Sequence, residues 1–314
     1  MMENTLFVVN PVSAKGLTGR QWPDIKLALE KALNEPIKEI LTETESLVSK
    51  IVRSALKESV RTIVSVGGDG THSQVIKGFF EEAPSFRPVC PEASLVFMSR
   101  GTGGDLCRHF HLGKDLKFVV DSLQGQEFPF DVGLLTYHDH QGVSQTRTFV
   151  NITSLGLGGE TALKMKQLKK GTALSYLFTT LSSAMRYKSK FVQVFVDEQL
   201  FYEGKIHLVA LANGSQFGGG MHIAPNASTS DGLLDVIILK HLTKFQVFTK
   251  ISKVYSGKHL ALKEVLSTSG RQIRITSPET VLLEIDGDPL GQGPIEAKIL
   301  PSALKVRLPK TPNP

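Results

Sequence analysis

Residues 61–71 read Arg-Thr-Ile-Val-Ser-Val-Gly-Gly-Asp-Gly-Thr, a β-branched run that stops on glycines. Ile63, Val64 and Val66 predict a buried strand. Gly67, Gly68 and Gly70 let the backbone turn tightly and leave N–H groups open to a ligand. Past Thr71, the residues Val75, Ile76, Phe79 and Phe80 recur at helical spacing, so a helix is expected over 73–80. Strand, glycine turn and helix N-terminus together make a phosphate cradle. Asp69, inside the turn, would repel phosphates unless a cation sat between them, so it points to Mg²⁺ with a nucleotide. A plain turn of the same composition is the competing reading, because a lone Gly-Gly pair is weak evidence.

The flanking sequence repeats the pattern. A strand at Leu6–Val9 ends on Asn10-Pro11, and the loop Val12–Gly16 carries Lys15. A helix over 21–34, a strand over 37–41 and a helix over 47–56 precede the first glycine turn. The strand Ser94–Met98 then halts on Arg100-Gly101-Thr102-Gly103-Gly104-Asp105, a second turn of the same kind, followed by helical segments at 106–110 and 114–123. Alternating strands and helices predict a parallel, doubly wound α/β sheet with ligands at the carboxyl ends of its strands. Beyond Phe128–Asp131 the texture changes. Strand-like runs at 130–136, 146–153, 191–197, 200–212, 233–239, 272–276, 280–285 and 295–299 predict a β-rich, antiparallel second domain. Helical segments near 160–187 and 243–257 interrupt it. The expected division is 1–128, joined by 300–314, against 129–299.

The chain has 314 residues and a formal net charge of +6, which favours anionic partners: nucleotide phosphates, acidic lipid surfaces or nucleic acid. No helix-turn-helix, zinc-finger or aromatic RNA-binding signature accompanies the charge, so no nucleic-acid partner is expected. No apolar run reaches the ~20 residues needed to span a bilayer. The opening residues enter a strand directly, so no signal peptide is expected. Two cysteines, Cys90 and Cys107, make no disulfide framework, and a cytoplasmic location is expected. Lys240–Lys258 contains lysines and no acid, and Phe245, Phe248, Ile251 and Tyr255 follow helical spacing within it. A core-facing helix with a solvated face and a membrane-surface helix both fit.

Two further segments carry acids at turns. In Asn226–Asp235, Asp231-Gly232 reads first as turn chemistry and second as a small cation site. In Glu284-Ile285-Asp286-Gly287-Asp288-Pro289, two aspartates flank a glycine at a strand end. They read either as a general base with a metal partner or as an ordinary Asp-Gly hairpin.

The ordered set resembles the diacylglycerol kinase catalytic-domain family, which includes bacterial soluble lipid kinases and sphingosine and ceramide kinases. It comprises the Asn-Pro strand end, Gly-Gly-Asp-Gly-Thr, a glycine turn containing Thr102, Asp-Gly-Leu-Leu-Asp at 231–235 and the closing Asp-Gly-acid at 286–288. It runs over essentially the whole chain. The resemblance implies a nucleotide-binding domain plus a sandwich-like acceptor domain, ATP and Mg²⁺ as cofactors, and a lipid substrate at an anionic membrane surface. It leaves room for a homodimer. It implies nucleotide contacts at Asn10, Thr42, Gly67, Gly68, Asp69, Gly70, Thr71, His72, Ser73, Gln74 and Thr102. Asp69 would help hold Mg²⁺, and Ser228, Asp231 and Leu233 match a structural Mg²⁺ site. Asp288 is at the position of the proton acceptor, with Asp286 beside it. The family usually has Asn-Glu at Ser73-Gln74, Asn at Gly104 and Glu at Asp288. Aspartate is one methylene shorter, and a displacement of ~1 Å can cost ~100-fold in rate. Three readings stay open: a lipid kinase, a kinase of a soluble acceptor, and a non-catalytic nucleotide or lipid sensor.

Overall fold

A computed structural model describes residues 2–42, 44–101, 104–110, 112, 115–167 and 173–310. The chain divides into two units, residues up to Phe130 with Ser302 onward, and Asp131–Pro301.

The first unit alternates β1 (Thr5–Val9), α1 (Leu17–Leu33), β2 (Lys38–Leu41), α2 (Glu45–Lys57), β3 (Thr62–Gly67), α3 (Asp69–Gly78), β4 (Ser94–Ser99), α4 (Asp105–His109) and α5 (Leu116–Leu123). Residues 305–306, β4, β3, β1 and β2 pair in that order, each pair parallel. β1, β3 and β4 are buried along their whole length, as continuous apolar runs in a parallel sheet require. On one face Phe7, Val9, Val64, Val66, Val96 and Met98 pack on Trp22, Ile25 and Leu29 of α1 and Val119 and Leu123 of α5. The opposite face takes α3, where the rings of His72 and Phe97 meet edge to face at 5.2 Å. This is the doubly wound arrangement expected. Gly78 sits where α3 meets α2: a Cβ there would lie 2.8 Å from the Ser49 carbonyl oxygen. α3 begins four residues earlier than the apolar spacing suggests, with Gly68 as an extended N-cap (φ −99°, ψ −175°). The glycine turn is therefore very short, and its amides belong to the first helical turn.

The second unit contains β5 (Gln126–Asp139, which begins in the first unit), β6 (Ser144–Phe149), β7 (Ile152–Gly156), α6 (Leu157–Gln167), α7 (Ala173–Arg186), β8 (Lys190–Val196), β9 (Gln199–Ala212) and β10 (Leu234–Lys240). α8 (Lys244–Lys250), α9 (Ser252–Tyr255), β11 (Val265–Gly270), β12 (Gln272–Thr276), β13 (Leu282–Ile285) and β14 (Asp288–Leu308) follow. Pairing is antiparallel among β7–β13 and along β14 up to Lys298. β9 pairs with β7 through Leu208–Ala212 and with β8 through Gln199–Ile206. β14 pairs with β13 at Asp288–Gln292 and with β12 at Ile295–Lys298. These two long strands thus close a ring of pairings, β9-β7-β13-β14-β12-β8, around a core that includes Leu155, Val194, Val209, Val236, Ile275 and Leu283. The single strand expected over 146–153 is two, broken at Val150-Asn151, and β11 adds a strand that the sequence pattern did not suggest. No helix of the described residues is long and apolar enough to cross a membrane.

Candidate functional site

In the first unit the strand tips meet. The amide of Arg100 donates to the Gly67 carbonyl (2.6 Å) and that of Asn10 to the Val66 carbonyl (2.9 Å). A Cβ on Gly101 would lie 2.6 Å from the Gly68 Cα, and one on Gly68 would lie 3.2 Å from the Gly101 Cα. The two turns are in backbone contact; a Cβ at 101 would prevent it, and one at 68 would be tight. Gly67 is confined as well, since a Cβ there would press on the Thr71 side chain at 2.5–2.7 Å.

Most of the expected polar contacts are spent inside the protein. Asn10 is buried, donates from Nδ2 to Thr71 Oγ1 (2.9 Å) and accepts the Val12 amide (3.1 Å). The Thr42 hydroxyl donates to the Val9 carbonyl (3.1 Å). Ser73 is also buried. His72 has no exposed surface. Its Nδ1 lies 2.7 Å from Ser65 Oγ and its Nε2 3.8 Å from Cys107 Sγ. Burial pulls its pKa down to about 4 against the opposing pull of Asp69, so the ring is a neutral core group and its side chain does not reach a ligand. Burial also pushes the Cys107 thiol up to about 12, leaving it inert. Gly68, Asp69 and Gln74 are half-buried and Gly70 is exposed. The surface offered at this edge is therefore mostly main chain. Thr102 lies outside the described residues.

Asp69 has a specific partner set. Its Oδ2 accepts the Gly104 amide (2.7 Å) and its Oδ1 the Leu106 amide (3.4 Å). It ties the first glycine turn to the N-terminus of α4, a favourable place for a carboxylate. An ionised carboxylate has about four lone-pair sites, so two amides leave room for a cation beside phosphates. Gly70 supports the fit of a nucleotide: a Cβ there meets no protein atom within 4 Å, so nothing in the chain itself demands glycine.

In the second unit, β13 and β14 are joined by Asp286 (φ 50°) and Gly287 (φ 89°), the left-handed pair of a tight hairpin. The Asp286 carboxylate accepts the amides of Val150 (3.1 Å) and Asn151 (2.9 Å), and its own amide donates to the Ile152 carbonyl (3.0 Å). Asp286 pins the turn to the break between β6 and β7. Asp288 is different: its side chain is 58% exposed, with the Arg147 guanidinium 3.5 Å away. Asp231 Oδ1 accepts the Leu233 amide (3.0 Å), and Ser228 Oγ accepts the Ser230 amide (3.4 Å). The buried Asp131 accepts the Gly232 amide (2.7 Å). No group of three or more His, Cys, Asp or Glu suited to a metal occurs among the described residues; a site made of the Ser228 and Leu233 carbonyls with Asp231 needs no such group.

The same unit holds a cavity with a mostly apolar lining, partly open to solvent. Leu157 and Gly158 of α6, Ala184 of α7, Ile237 of β10, Val247 of α8 and Val254 of α9 are among its walls. His207, on its wall, is pulled down to about 4, by burial first and then by His241, and burial lowers His259 too. Lys250 is paired with Glu264 at 2.7 Å. The interior thus presents no unpaired charge near neutral pH. Gly158 backs directly onto Ser154, whose hydroxyl donates to Glu284 Oε1 at 2.6 Å.

Comparison with known proteins is consistent over the chain. Residues 4–135 match the diacylglycerol kinase catalytic domain, and residues 153–308 match the YegS C-terminal NAD kinase beta sandwich-like domain. The chain belongs to the diacylglycerol kinase family. It is thus an ATP-dependent phosphotransferase with a hydroxyl acceptor. A diacylglycerol kinase of Staphylococcus carnosus is 25% identical over 315 residues, covering 99% of this chain and 96% of its own length. A YegS-like protein of Yersinia enterocolitica is 25% identical, covering 98% of each chain. In fold, the kinase resembles the crystal structure of a diacylglycerol kinase from Bacillus anthracis (TM-score 0.70, 19% identity, 98% and 97% covered). It also resembles a yeast NADH kinase (TM-score 0.51, 13% identity, 99% and 84% covered).

One residue of this kinase's hairpin escaped the sequence reading. Glu284 is buried, between Ser154 Oγ and the Gly287 amide (2.7 Å to Oε2). Desolvation raises its pKa from 4.5 to about 8, and the charges of Asp286 and Asp288 add to this against the two hydrogen bonds. It therefore keeps its proton near neutral pH and braces the Asp286-Gly287 turn from inside. A lone acid within the apolar run 281–285 was the available signal.

Two outcomes follow from these sites. Between about pH 4.5 and 8 the unfolded chain releases the Glu284 proton while the folded chain keeps it, so this residue lowers stability increasingly across that window. Glu284→Gln should therefore melt higher than wild type, by a margin that grows from pH 5 to pH 8 in calorimetry. At the first site, Gly70→Ala should leave the melting temperature equal or higher, since alanine favours a helix by about 1 kcal/mol over glycine. The same variant should lose ATP affinity, measured by titration calorimetry, because its methyl group occupies the open space.

Proposed function

We propose that this kinase moves the γ-phosphoryl group of Mg-ATP onto the hydroxyl of a diacylglycerol-like lipid at an anionic membrane surface. The cavity of the second unit carries this reading. Its walls are apolar, its two histidines are held neutral and its lysine is already paired. Such an interior rewards alkyl chains and leaves a charged, soluble acceptor without partners. The net charge of +6 fits an anionic surface.

In the proposed reaction the amides of Gly68, Gly70 and Thr71 at the start of α3 bind the phosphates. Asp69 contributes to the Mg²⁺ site while remaining tied to α4. When bound, Mg²⁺ offsets charge on the transferring group. Asp288 accepts the proton of the acceptor hydroxyl as its oxygen bonds to the γ-phosphorus, and ADP leaves. Asp286 holds the turn that presents Asp288, since its carboxylate is engaged by two amides. Ser228, Asp231 and Leu233 would hold a structural Mg²⁺ and take no direct part in this chemistry.

The test is transfer of labelled phosphate from ATP to diacylglycerol, ceramide, sphingosine, NAD and simple sugars. Labelled lipid should form, and Asp288→Asn should lower kcat about 100-fold or more with ATP affinity unchanged. Product only with a soluble acceptor, or an Asp288→Asn variant as fast as wild type, would overturn the proposal.

A further inference from the structure

Among the described residues, Phe245 and Phe248 are the most exposed aromatic side chains, at 76% and 67%. Both lie on α8, whose N-terminus is fixed by a capping box between Thr243 and Gln246. Phe245, Phe248 and Thr249 share one exposed helical face, and Ser252 continues it into α9. Val247, Ile251 and Val254 project from the other side of the same segment and line the apolar cavity. The segment 244–255 is therefore a thin wall with apolar side chains on both of its faces. A solvated helix of a soluble enzyme has no reason to keep two phenylalanines on its outer face.

The charges around the face have one sign. Lys244, Lys253 and Lys258 are exposed, and no acid lies between Lys240 and Lys258. Lys250, turned inward, is the one paired with Glu264. Exposed aromatics rimmed by lysines match the boundary of a bilayer with anionic headgroups: rings enter the acyl edge while ammonium groups meet phosphates. A protein partner would be expected to offer acids opposite these lysines, and a second copy of this chain would bring the same lysines face to face.

We infer that the outer face of α8 is the membrane-docking surface of this kinase, and that it delivers lipid through the wall 244–255 into the cavity behind it. This rests on the lipid-kinase reading for what enters the cavity, but not for the docking itself. Insertion of Phe245 and Phe248 puts Val247, Ile251 and Val254 at the acyl boundary, so an alkyl chain can move from bilayer to cavity without crossing water.

Co-sedimentation of the full chain with phosphatidylcholine vesicles, with and without phosphatidylglycerol, tests the surface. Wild type should bind the anionic vesicles preferentially and lose binding with added salt. Phe245→Ser/Phe248→Ser should reduce partitioning about tenfold or more, and Lys244→Glu/Lys253→Glu should remove the preference for phosphatidylglycerol. Both doubles should melt like wild type, because the altered side chains are exposed. The chain has one tryptophan, Trp22, which is buried. A Phe248→Trp variant should therefore show a vesicle-induced blue shift that wild type lacks. On activity, the phenylalanine double should phosphorylate a short-chain, monomerically dispersed diacylglycerol at the wild-type rate and vesicle-borne long-chain diacylglycerol much more slowly. Vesicle binding through α8 with no lipid phosphorylated would sink the kinase reading and leave the docking surface standing. Lipid phosphorylation with both doubles binding vesicles as wild type does would sink the docking surface alone. A lipid-free dimer that Phe245→Ser/Phe248→Ser dissolves would also overturn it, by assigning the face to a second copy.

Discussion

The Asp69 carboxylate, held by the amides of Gly104 and Leu106, keeps the two glycine turns of the first unit together. Gly68 and Gly101 then touch backbone to backbone, a separation that a Cβ at 101 does not permit. A carboxylate at that position would ordinarily oppose phosphate binding. Committed to two amides at a helix N-terminus, its charge is partly answered before any ligand arrives. The edge left to a ligand is the first turn of α3, where helix geometry leaves N–H groups without partners in the helix. Side chains such as Asn10, Thr42 and Thr71 build the edge from behind rather than face outward.

A parallel division of labour holds in the second unit. Asp286 and Glu284 both serve the hairpin that ends in Asp288, one as an ion bonded to two amides and the other as a buried neutral acid. Only Asp288 is well exposed. The alternation that makes Asp286 and Asp288 look equivalent in the sequence is thus broken by φ > 0 at Asp286, which turns its carboxylate back onto the β6–β7 break. Asp288 follows a turn that is braced on both sides, so the scaffold sets where its backbone lies.

Much of this architecture was legible. The apolar runs of β1, β3 and β4, alternating with helical segments, predicted a doubly wound sheet, because a strand covered on both faces must be apolar throughout. The helix after the first glycine turn was legible from Val75 onward but not at its start, since Asp69 and Gly70 are poor helix formers and Asp69 is held by the distant amides of Gly104 and Leu106. β11 was missed because Ser267, Thr268 and Ser269 carry no apolar alternation and pair with β10 by backbone register. The resemblance put His72 among the nucleotide contacts, yet helix periodicity turns its ring onto Phe97 and Ser65. Glu284 showed in the sequence only as a lone acid in an apolar run; its partner Ser154 lies far away in the chain.

The most direct measurement is backbone amide NMR of the full chain titrated with a non-hydrolysable Mg-ATP analogue. The largest shifts are expected at Gly68, Asp69, Gly70 and Thr71, with smaller ones at Gly101 and Gly104. A saturable titration that left those amides unmoved while shifting others would contradict a triphosphate held by main-chain groups at the tips of β3 and β4.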